Sequence, residues 1–175
     1  PTRRNPAQLA FVAGLAVFDA LSEMAPDVCF AFKWPNDILA SGRKLSGILI
    51  EAGEQGYALG IGVNLETSPP DSDVRFPATN LKLVLGQSEA ISPETLLTKI
   101  CRHFSVWFDR WTNDGFEALQ KRWLASAHGM GDTIAASMGS GRIEGRFRGL
   151  DGDGALVLED AGGDLQIITA GDGFF

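Results

Sequence analysis

Three short apolar segments joined by tight turns constrain the fold of this chain more than any other feature. Residues 28–33, 44–52 and 57–63 are apolar or alternate apolar with polar residues, which is typical of β-strands. Ser41-Gly42 precedes the second segment, and Gly53-Glu54-Gln55-Gly56 precedes the third. Turns of this length favour antiparallel neighbours, so the sequence predicts an antiparallel sheet over residues 28–63.

Charged and amide side chains cluster at one end of these predicted strands. The first segment ends at Lys33, Pro35 interrupts it, and Asn36 and Asp37 follow. Lys44 begins the second segment. Folding alone does not require two lysines, an amide and a carboxylate beside an apolar core. This end of the sheet is therefore the candidate functional site.

Helical patterns flank the predicted sheet. A largely buried helix is predicted over residues 6–24, with Asn5 as its N-cap and Pro6 at its first position. A second helix begins at Pro93 after the N-cap Ser92. Shorter helices are predicted over residues 79–85 and 116–124. The residues predicted to form the buried stripe of the second helix are Leu96, Leu97, Ile100, Phe104, Trp107, Phe108 and Trp111.

The character of the sequence changes at residue 128. Glycines become frequent, and short alternating runs occur at 133–136, 142–147, 155–158 and 165–169. Asp151-Gly152-Asp153-Gly154 is a strong hairpin-turn signal. These features predict a small antiparallel barrel over residues 128–175, which follows a first domain of residues 1–127. The second part holds three basic and eight acidic residues, a net charge of −5.

Charge and hydropathy exclude several classes of protein. The net charge of −7 argues against a general nucleic-acid-binding protein and against electrostatic attachment to anionic membranes. The longest uninterrupted apolar run is far shorter than the ~18 residues of a membrane span, and no secretory signal is visible. Cys29 and Cys101 lie in apolar segments without metal-ligand spacing, which predicts buried thiols and a cytoplasmic location.

The spacing of residues also argues against three common kinds of site, namely a serine hydrolase site, a histidine metal site or triad, and a dinucleotide-binding site. Ser46 has no histidine in a plausible catalytic motif, and the two histidines of the chain are far apart in sequence. Gly60 and Gly62 do not form a dinucleotide-binding fingerprint, because Leu65 occupies the position of the third glycine. The two glycines could mark a close approach to the backbone or simply a β-bulge.

Two blocks taken together closely resemble the signature of the biotin protein ligases. They are Lys-Trp-Pro-Asn-Asp at 33–37 and Arg-Lys-Leu-Ser-Gly-Ile-Leu-Ile-Glu at 43–51. Gly-Ile-Gly-Val-Asn-Leu at 60–65 matches the next block of that family, and residues 171–175 resemble the end of its C-terminal SH3-like domain. The resemblance implies an α+β fold, in which a mixed or antiparallel sheet with packed helices is followed by a small SH3-like β-barrel.

The resemblance also implies an activity. Such enzymes form biotinyl-5′-adenylate from biotin and ATP, and then transfer the biotinyl group to a lysine of a biotin carboxyl carrier protein. The expected cofactors and substrates are ATP, biotin and Mg²⁺. A homodimer formed through a sheet edge is possible in this family, and no DNA binding is expected from this chain.

Roles for individual residues follow from the same resemblance. Lys44 is the expected catalytic residue, in contact with the biotin carboxylate and the α-phosphate. Asp37 could orient a lysine, assist the metal or cap the turn, and Trp34 and Arg43 are expected to support the site. The residues expected to bind biotin are Lys44, Ser46, Gly47, Gly60 and Gly62. Those expected to bind the nucleotide are Lys33, Asn36, Ile48, Leu49 and Asn64, with Asn36 and Asn64 also facing the metal.

Two alternatives stay open. One is a lipoate or octanoate ligase, which shares the catalytic architecture but not the Lys-Trp-Pro-Asn-Asp block. The other is a non-catalytic fragment that binds a carrier protein or an adenylate. It is suggested because the family's biotin-clamping loop, of the Gly-Arg-Gly-Arg type, lies upstream of the first helix and is not in this sequence. We therefore expect these residues to form about half of a site and to be much less active than a form with that loop.

Overall fold

The computed structural model of the protein describes residues 5–54, 56–74, 76–86, 91–138, 141–169 and 172–174. Apart from one strand in each sheet, helices and strands occur in the order that the sequence pattern predicts: one helix before the first sheet, three helices after it, and strands alone at the end. The helices are α1 (Leu9–Met24), α2 (Leu81–Leu85), α3 (Pro93–Asp114) and α4 (Phe116–Leu124). The strands are β1 (Phe30–Lys33), β2 (Asp37–Ala40), β3 (Arg43–Gly53), β4 (Gly56–Val63), β5 (Thr133–Met138), β6 (Gly141–Leu150), β7 (Leu156–Glu159), β8 (Leu165–Ile168) and β9 (Asp172–Phe174).

The first sheet is antiparallel throughout, with the strand order β1-β2-β3-β4, which confirms the prediction from the tight turns. Its second strand is one that the sequence pattern missed. The chain reverses at Trp34-Pro35-Asn36, so that Lys33 lies opposite Asp37, and β2 then runs back beside β1. Proline therefore turns the chain here rather than ending the sheet. The polar Asn36-Asp37 pair conceals the short buried strand that Asp37 begins.

A β-bulge interrupts the pairing of β2 with β3. Asp37 lies opposite Gly47 and Ile38 opposite Ser46, but Leu39 lies opposite Lys44, which leaves Leu45 as the extra residue. Side chains alternate between the two faces of a strand, so residues three apart normally face opposite sides. The bulge removes one step of that alternation and places Lys44 on the same face as Gly47.

Helix α1 is the centre of the core. It packs on the opposite face of the first sheet and against α3, and most of its residues are buried. With the preceding 3₁₀ turn (Pro6–Gln8), it is the one helix of the described residues that is long and apolar enough to span a membrane. We predicted no membrane-spanning segment, because the prediction considered only uninterrupted apolar runs and this helix contains polar residues. In this structure 61% of the span is buried inside the protein, as expected for a core helix.

The ends and faces of the helices follow the sequence closely. The Asn5 side chain accepts a hydrogen bond from the backbone N–H of Ala7, and Ser92 accepts one from that of Thr95. The predicted stripe of α3 packs inward, except for Leu97 and Phe108, whose side chains are exposed at its margins. The apolar residues of α3 extend over a wider strip of its surface than the strip that α1 covers.

The C-terminal strands form a second antiparallel sheet, with the order β8-β7-β6-β5-β9. The predicted antiparallel β-domain is confirmed, but its closure into a barrel is not. Within the described residues, β8 and β9 lie at opposite edges of an open sheet. Of the predicted C-terminal block, β9 pairs with β5, whereas Gly171 and Phe175 lie outside the described residues. Alternating patterns predict strands but not which edge strands meet, since closure is set by shear and bending.

Both cysteine thiols are free, and both cysteines are exposed rather than buried. Cys29 precedes β1, and Cys101 lies on the outer face of α3. The prediction of buried thiols was therefore wrong. Apolar neighbours in sequence do not bury a residue that lies on the outward side of an element.

Candidate active site

A buried carboxylate joins the two lysines of the candidate site. Asp37 Oδ1 lies 2.6 Å from Lys44 Nζ, and Asp37 Oδ2 lies 3.6 Å from Lys33 Nζ. The side chains of Lys33 and Asp37 are only 6% and 9% exposed, whereas that of Lys44 is 41% exposed. The three groups carry one net positive charge, and Lys44 is the member that a ligand can reach. Of the roles considered for Asp37, orientation of a lysine is the one that these contacts favour.

Lys33 belongs to the interior of this cluster. Its ammonium group lies 5.2 Å from the centre of the Phe76 ring, a cation–π distance. His128, a residue that the sequence pattern did not connect with the site, is a neighbour of Lys33. Burial lowers the pKa of His128, the charge of Lys33 lowers it further, and Asp132 opposes the shift. These contacts favour the framework role for Lys33 over direct contact with a ligand.

Glycines keep the surface beside Lys44 bare. Gly47 lies opposite both Asp37 and Gly62 on the neighbouring strands, and Gly60 lies opposite Leu49. A Cβ atom on Gly47 would lie 3.4 Å from both Asp37 Oδ1 and Lys44 Nζ. Leu49 is 56% exposed on the same face. This face therefore presents a cation next to a strip of uncovered backbone.

Ser46 and Ile48 alternate with these residues and face the other side of the sheet. Ser46 is buried and donates a hydrogen bond of 2.8 Å to the carbonyl of Gly62. The Ile48 side chain packs close to Gly14 of α1, in the core. The structure thus brings Gly47, Gly60, Gly62 and Leu49 to the Lys44 face. It does not bring the side chains of Ser46 and Ile48 there.

Asn36 is fixed to β3 by two hydrogen bonds. Its carbonyl accepts from the N–H of Ile48 at 2.9 Å, and its Nδ2 donates to the carbonyl of Ile48 at 2.6 Å. One N–H of the side-chain amide is therefore already used. The amide oxygen accepts no hydrogen bond among these contacts, and oxygen is what a cation such as Mg²⁺ requires.

Asn64 supports the opposite side of β3. Its backbone N–H donates to the carbonyl of the bulged Leu45 at 2.9 Å, and its Nδ2 donates to the carbonyl of Thr79 at 2.9 Å. Residues 77–79 continue the sheet here, because Lys44 bonds to Pro77 and Thr79 through its backbone. Asn64 therefore holds the bulge that orients Lys44. It is separated from Asn36 by the width of β3.

Arg43 supports the same region from outside. Its Nε donates to the carbonyl of Ala78 at 3.0 Å, and its guanidinium group pairs with Asp71 at 2.6 Å. The pairing with Arg43 lowers the pKa of the exposed Asp71 carboxyl. Arg43 therefore anchors the loop over residues 71–78 to the start of β3, which fits the supporting role expected of it.

A cavity of about 280 Å³ lies between the first sheet and the C-terminal sheet. Trp34, Pro35 and Asn36 line it on one side, and Asp153 and Gly154 on the other. The sequence pattern indicated only a hairpin turn at residues 151–154. Nothing in it pointed to a contact with the Lys33–Asp37 block, more than a hundred residues away.

In the part of the chain that the structure describes, no group of three or more His, Cys, Asp or Glu side chains is arranged to hold a metal ion. The one buried carboxylate of the site, Asp37, is engaged by two lysines. The chemistry that the arrangement supports is stabilisation of negative charge by Lys44 beside a flat, backbone-lined surface.

Comparison with known proteins gives a consistent result. The profile of the biotin/lipoate A/B protein ligase family matches residues 2–125, and that of the biotin protein ligase C-terminal domain matches residues 131–175. The biotin–(acetyl-CoA-carboxylase) ligase of Paracoccus denitrificans is 40% identical over 97% of this chain and 73% of its own length. The corresponding ligase of Mycobacterium tuberculosis is 31% identical over 94% of this chain and 60% of its own length.

Solved structures agree with these relatives. The biotin protein ligase of Aquifex aeolicus in complex with biotin and ATP superposes with a TM-score of 0.84 at 26% identity. The match covers 98% of this chain and 72% of that one. Two independent profiles account for nearly the whole chain, and the Paracoccus relative exceeds the identity at which family membership is secure. The chain therefore belongs to the biotin/lipoate A/B protein ligase family, in its biotin protein ligase branch.

Proposed function

We propose that this protein is an ATP-dependent biotin protein ligase. In this proposal it forms biotinyl-5′-adenylate and transfers the biotinyl group to a lysine of a biotin carboxyl carrier protein. The observation that carries the proposal is the half-exposed Lys44 ammonium, held at 2.6 Å by the buried Asp37 beside the glycine strip. The names of the Paracoccus and Mycobacterium relatives and the biotin–ATP complex of the Aquifex ligase support it.

The first step brings a carboxylate against a phosphate. A carboxylate oxygen of biotin attacks the α-phosphorus of ATP, the bond to the β-phosphate oxygen breaks, and pyrophosphate leaves. Negative charge is concentrated on the α-phosphate oxygens in the transition state. Lys44 stabilises that charge as a cation already in position, so little reorganisation is needed when the charge develops. Asp37 keeps the ammonium group in place.

Biotin would lie along the glycine strip. Gly47, Gly60 and Gly62 leave the backbone of β3 and β4 uncovered on the Lys44 face, so that a flat ligand can approach it closely. Ser46 would act from the other face through its bond to the Gly62 carbonyl, as a support for β4. Leu49 supplies apolar surface next to the strip.

ATP would be bound beside this strip, with Mg²⁺ on its phosphates. Asn36 and Asn64, on opposite sides of β3, would offer their amide oxygens to the phosphate-bound metal, and one N–H of each amide is already bonded to a backbone carbonyl. Bound Mg²⁺ offsets phosphate charge, and it typically keeps water and phosphate oxygens as most of its ligands. Lys33, Trp34 and Arg43 would hold the frame, and Ile48 would contribute by fixing Asn36 through its backbone N–H and carbonyl.

In the second step the amine of the carrier lysine attacks the biotinyl carbonyl and AMP leaves. We assign this acceptor to the biotin carboxyl carrier domain of a carboxylase. The proposal further includes a cytoplasmic location, a division of the chain at residues 127 and 128, and a homodimer paired through a sheet edge. Strands β1 and β4 are the two edges of the first sheet in the described residues. Phe32 of β1 already bonds to Ser126 and His128 through its backbone, so β4 is the edge that would pair.

The test is an assay of the intact protein with biotin, ATP and a purified carrier domain. Biotin-dependent exchange of labelled pyrophosphate into ATP reports the first step, and the mass gain of the carrier reports the second. Lipoate and octanoate serve as matched acids. We expect both signals with biotin alone. Exchange that follows lipoate or octanoate would assign the protein to the other branch of the family, and no exchange with any acid would refute ligase activity.

A further inference from the structure

Trp34 joins the candidate site to the C-terminal sheet. The indole N–H donates a hydrogen bond of 3.1 Å to the carbonyl of Gly154, and both partners are buried. Trp34 follows Lys33 directly and stands two residues before Asn36. Gly154 lies in the turn over residues 151–155, between β6 and β7. The contact therefore links the loop of the site to one turn of the second sheet.

This turn has a fixed shape of its own. The Asp151 carboxylate accepts hydrogen bonds from the backbone N–H groups of Asp153 and Ala155, at 2.9 and 2.8 Å. Gly154 has a φ of +91°, and a Cβ atom there would come within 2.5 Å of the Phe11 ring. Only glycine meets both conditions. The turn is therefore a preformed element that seats closely on the first domain.

Three further side chains of the first domain, those of Asn5, Gln8 and Gln120, hold the turn. Gln8, itself bonded to the indole of Trp111, donates to the carbonyl of Gly152 at 3.0 Å. Gln120 donates to the carbonyls of Leu150 and Asp151. All the donors are side chains; Asn5 donates to the Asp153 carboxylate at 3.3 Å, and the other acceptors are carbonyls of residues 150–154. Among these donors, Trp34 is the one that belongs to the loop of the site.

We propose that Trp34 is a positioning residue, through which the 151–155 turn sets the placement of the Lys33–Asp37 loop. Asn36 ties the other end of that loop to Ile48, so the loop is held at Gly154 and at β3. Release of the Gly154 end would let Lys33, Asn36 and Asp37 shift relative to Lys44. Small displacements of groups that act in a transition state reduce rates strongly. The inference rests on the proposed function for its effect on catalysis.

The test compares three variants of the intact protein. Trp34→Phe removes the indole N–H from the loop. Trp107→Phe makes the same change at another buried indole, whose N–H donates to Asp19 at 2.8 Å. Both residues are far from the turn in sequence, and this bond does not involve the turn. Gln120→Met removes another donor to the turn while leaving the loop of the site untouched. Melting temperatures show that each variant is folded before it is assayed.

We expect Trp34→Phe to lower kcat for biotin-dependent pyrophosphate exchange about tenfold, with the KM for biotin changed less than about twofold. Trp107→Phe and Gln120→Met should both keep kcat within about twofold of the wild type. Equal losses in Trp34→Phe and Trp107→Phe, or in Trp34→Phe and Gln120→Met, would overturn the proposal, because a general loss of stability would then explain them.

Hydrogen exchange tests the coupling without any activity. Trp34→Phe should accelerate exchange of the Ile48 N–H and the Ala155 N–H together, by about fivefold, the effect of one net hydrogen bond. Trp107→Phe should accelerate neither. If exchange rises only at Ala155, the turn does not position the loop. A wild-type protein without ligase activity would refute the proposed function, and this measurement would still decide the coupling.

Discussion

Each of the two sheets contains one bulge on its longer central strand, and the two bulges place charge in opposite environments. In the first sheet the extra residue is Leu45, and the bulge turns Lys44 toward the buried Asp37. In the second sheet the extra residue is Arg148, which pairs with Glu159 at 3.2 Å. There the side chains are 50% and 33% exposed, whereas that of Asp37 is 9% exposed.

The difference in burial means that the two ion pairs have different energetic consequences. An exposed pair contributes little to stability, because water already solvates both charges. A buried carboxylate must be matched by nearby cations, because removing it from water costs free energy. Folding does not require such a buried charge. A bulge therefore accompanies an exposed ion pair in β6, whereas in β3 it brings the Lys44 ammonium group to a buried carboxylate.

The largest effect is expected from removal of that cation. Lys44→Ala should lower the rate of adenylate formation by about 10²–10³, the loss seen when one preorganised charge-stabilising donor is removed. Arg148→Ala, the equivalent change at the other bulge, should leave the rate within about twofold. Pyrophosphate exchange measures both. Retained activity in Lys44→Ala would refute the catalytic assignment and erase the contrast between the bulges.

Neutralising the buried acid tests the second half of the comparison. Asp37→Asn removes the buried carboxylate charge that faces Lys33 and Lys44 and should lower the free energy of unfolding by about 3 kcal/mol. Glu159→Gln, in the exposed pair, should lower it by no more than about 0.5 kcal/mol. Urea titration of both variants gives the values. Similar losses would mean that burial does not separate the two pairs.

Glycine substitutions in the two sheets should separate activity from stability. A Cβ at Gly47 meets the flexible end of Lys44, so Gly47→Ala should cost less than about 1 kcal/mol of stability but slow adenylation about tenfold. A Cβ at Gly145 would lie 2.8 Å from the Glu159 carbonyl oxygen. Gly145→Ala should therefore cost about 2 kcal/mol while the rate per folded molecule stays unchanged. Loss of stability without loss of rate in Gly47→Ala would contradict this division.

The smallest effect concerns the segment between the sheets. His128 bonds to Phe32 of β1 through its backbone, and its pKa is lowered from the ordinary value of 6.5, chiefly by burial. The unfolded chain therefore binds this proton more readily than the folded protein does. The stability due to neutral His128 is present above pH 6.5 and is lost as the pH falls below that value.

Urea midpoints measured between pH 8 and pH 5.5 would reveal this loss. His128→Asn should reduce the slope, because it removes the group that titrates. Asp132→Asn should increase the slope, because Asp132 opposes the lowering of the His128 pKa. An unchanged slope in both variants would show that other groups govern stability in this range.

Much of the fold could be predicted from the sequence alone, and the sequence also indicated which residues form the candidate site. The periods of apolar residues, the caps Asn5 and Ser92 and the turn glycines are local signals. They were enough to place α1, α3 and the strands of both sheets other than β2 and β9. The two lysine-containing blocks pointed to the family, because the order of residue types is itself the signal.

Only the tertiary structure decided how these residues face one another. Lys44 and Gly47 share a face because Leu45 forms a bulge, and a bulge depends on the pairing partner rather than on the strand that contains it. The second sheet is open, and Trp34 bonds to Gly154. Both features depend on contacts between segments that are distant in sequence. A local pattern indicates which side chains of a segment are buried. Contacts between distant segments depend on how the buried surfaces fit together, which no single segment specifies.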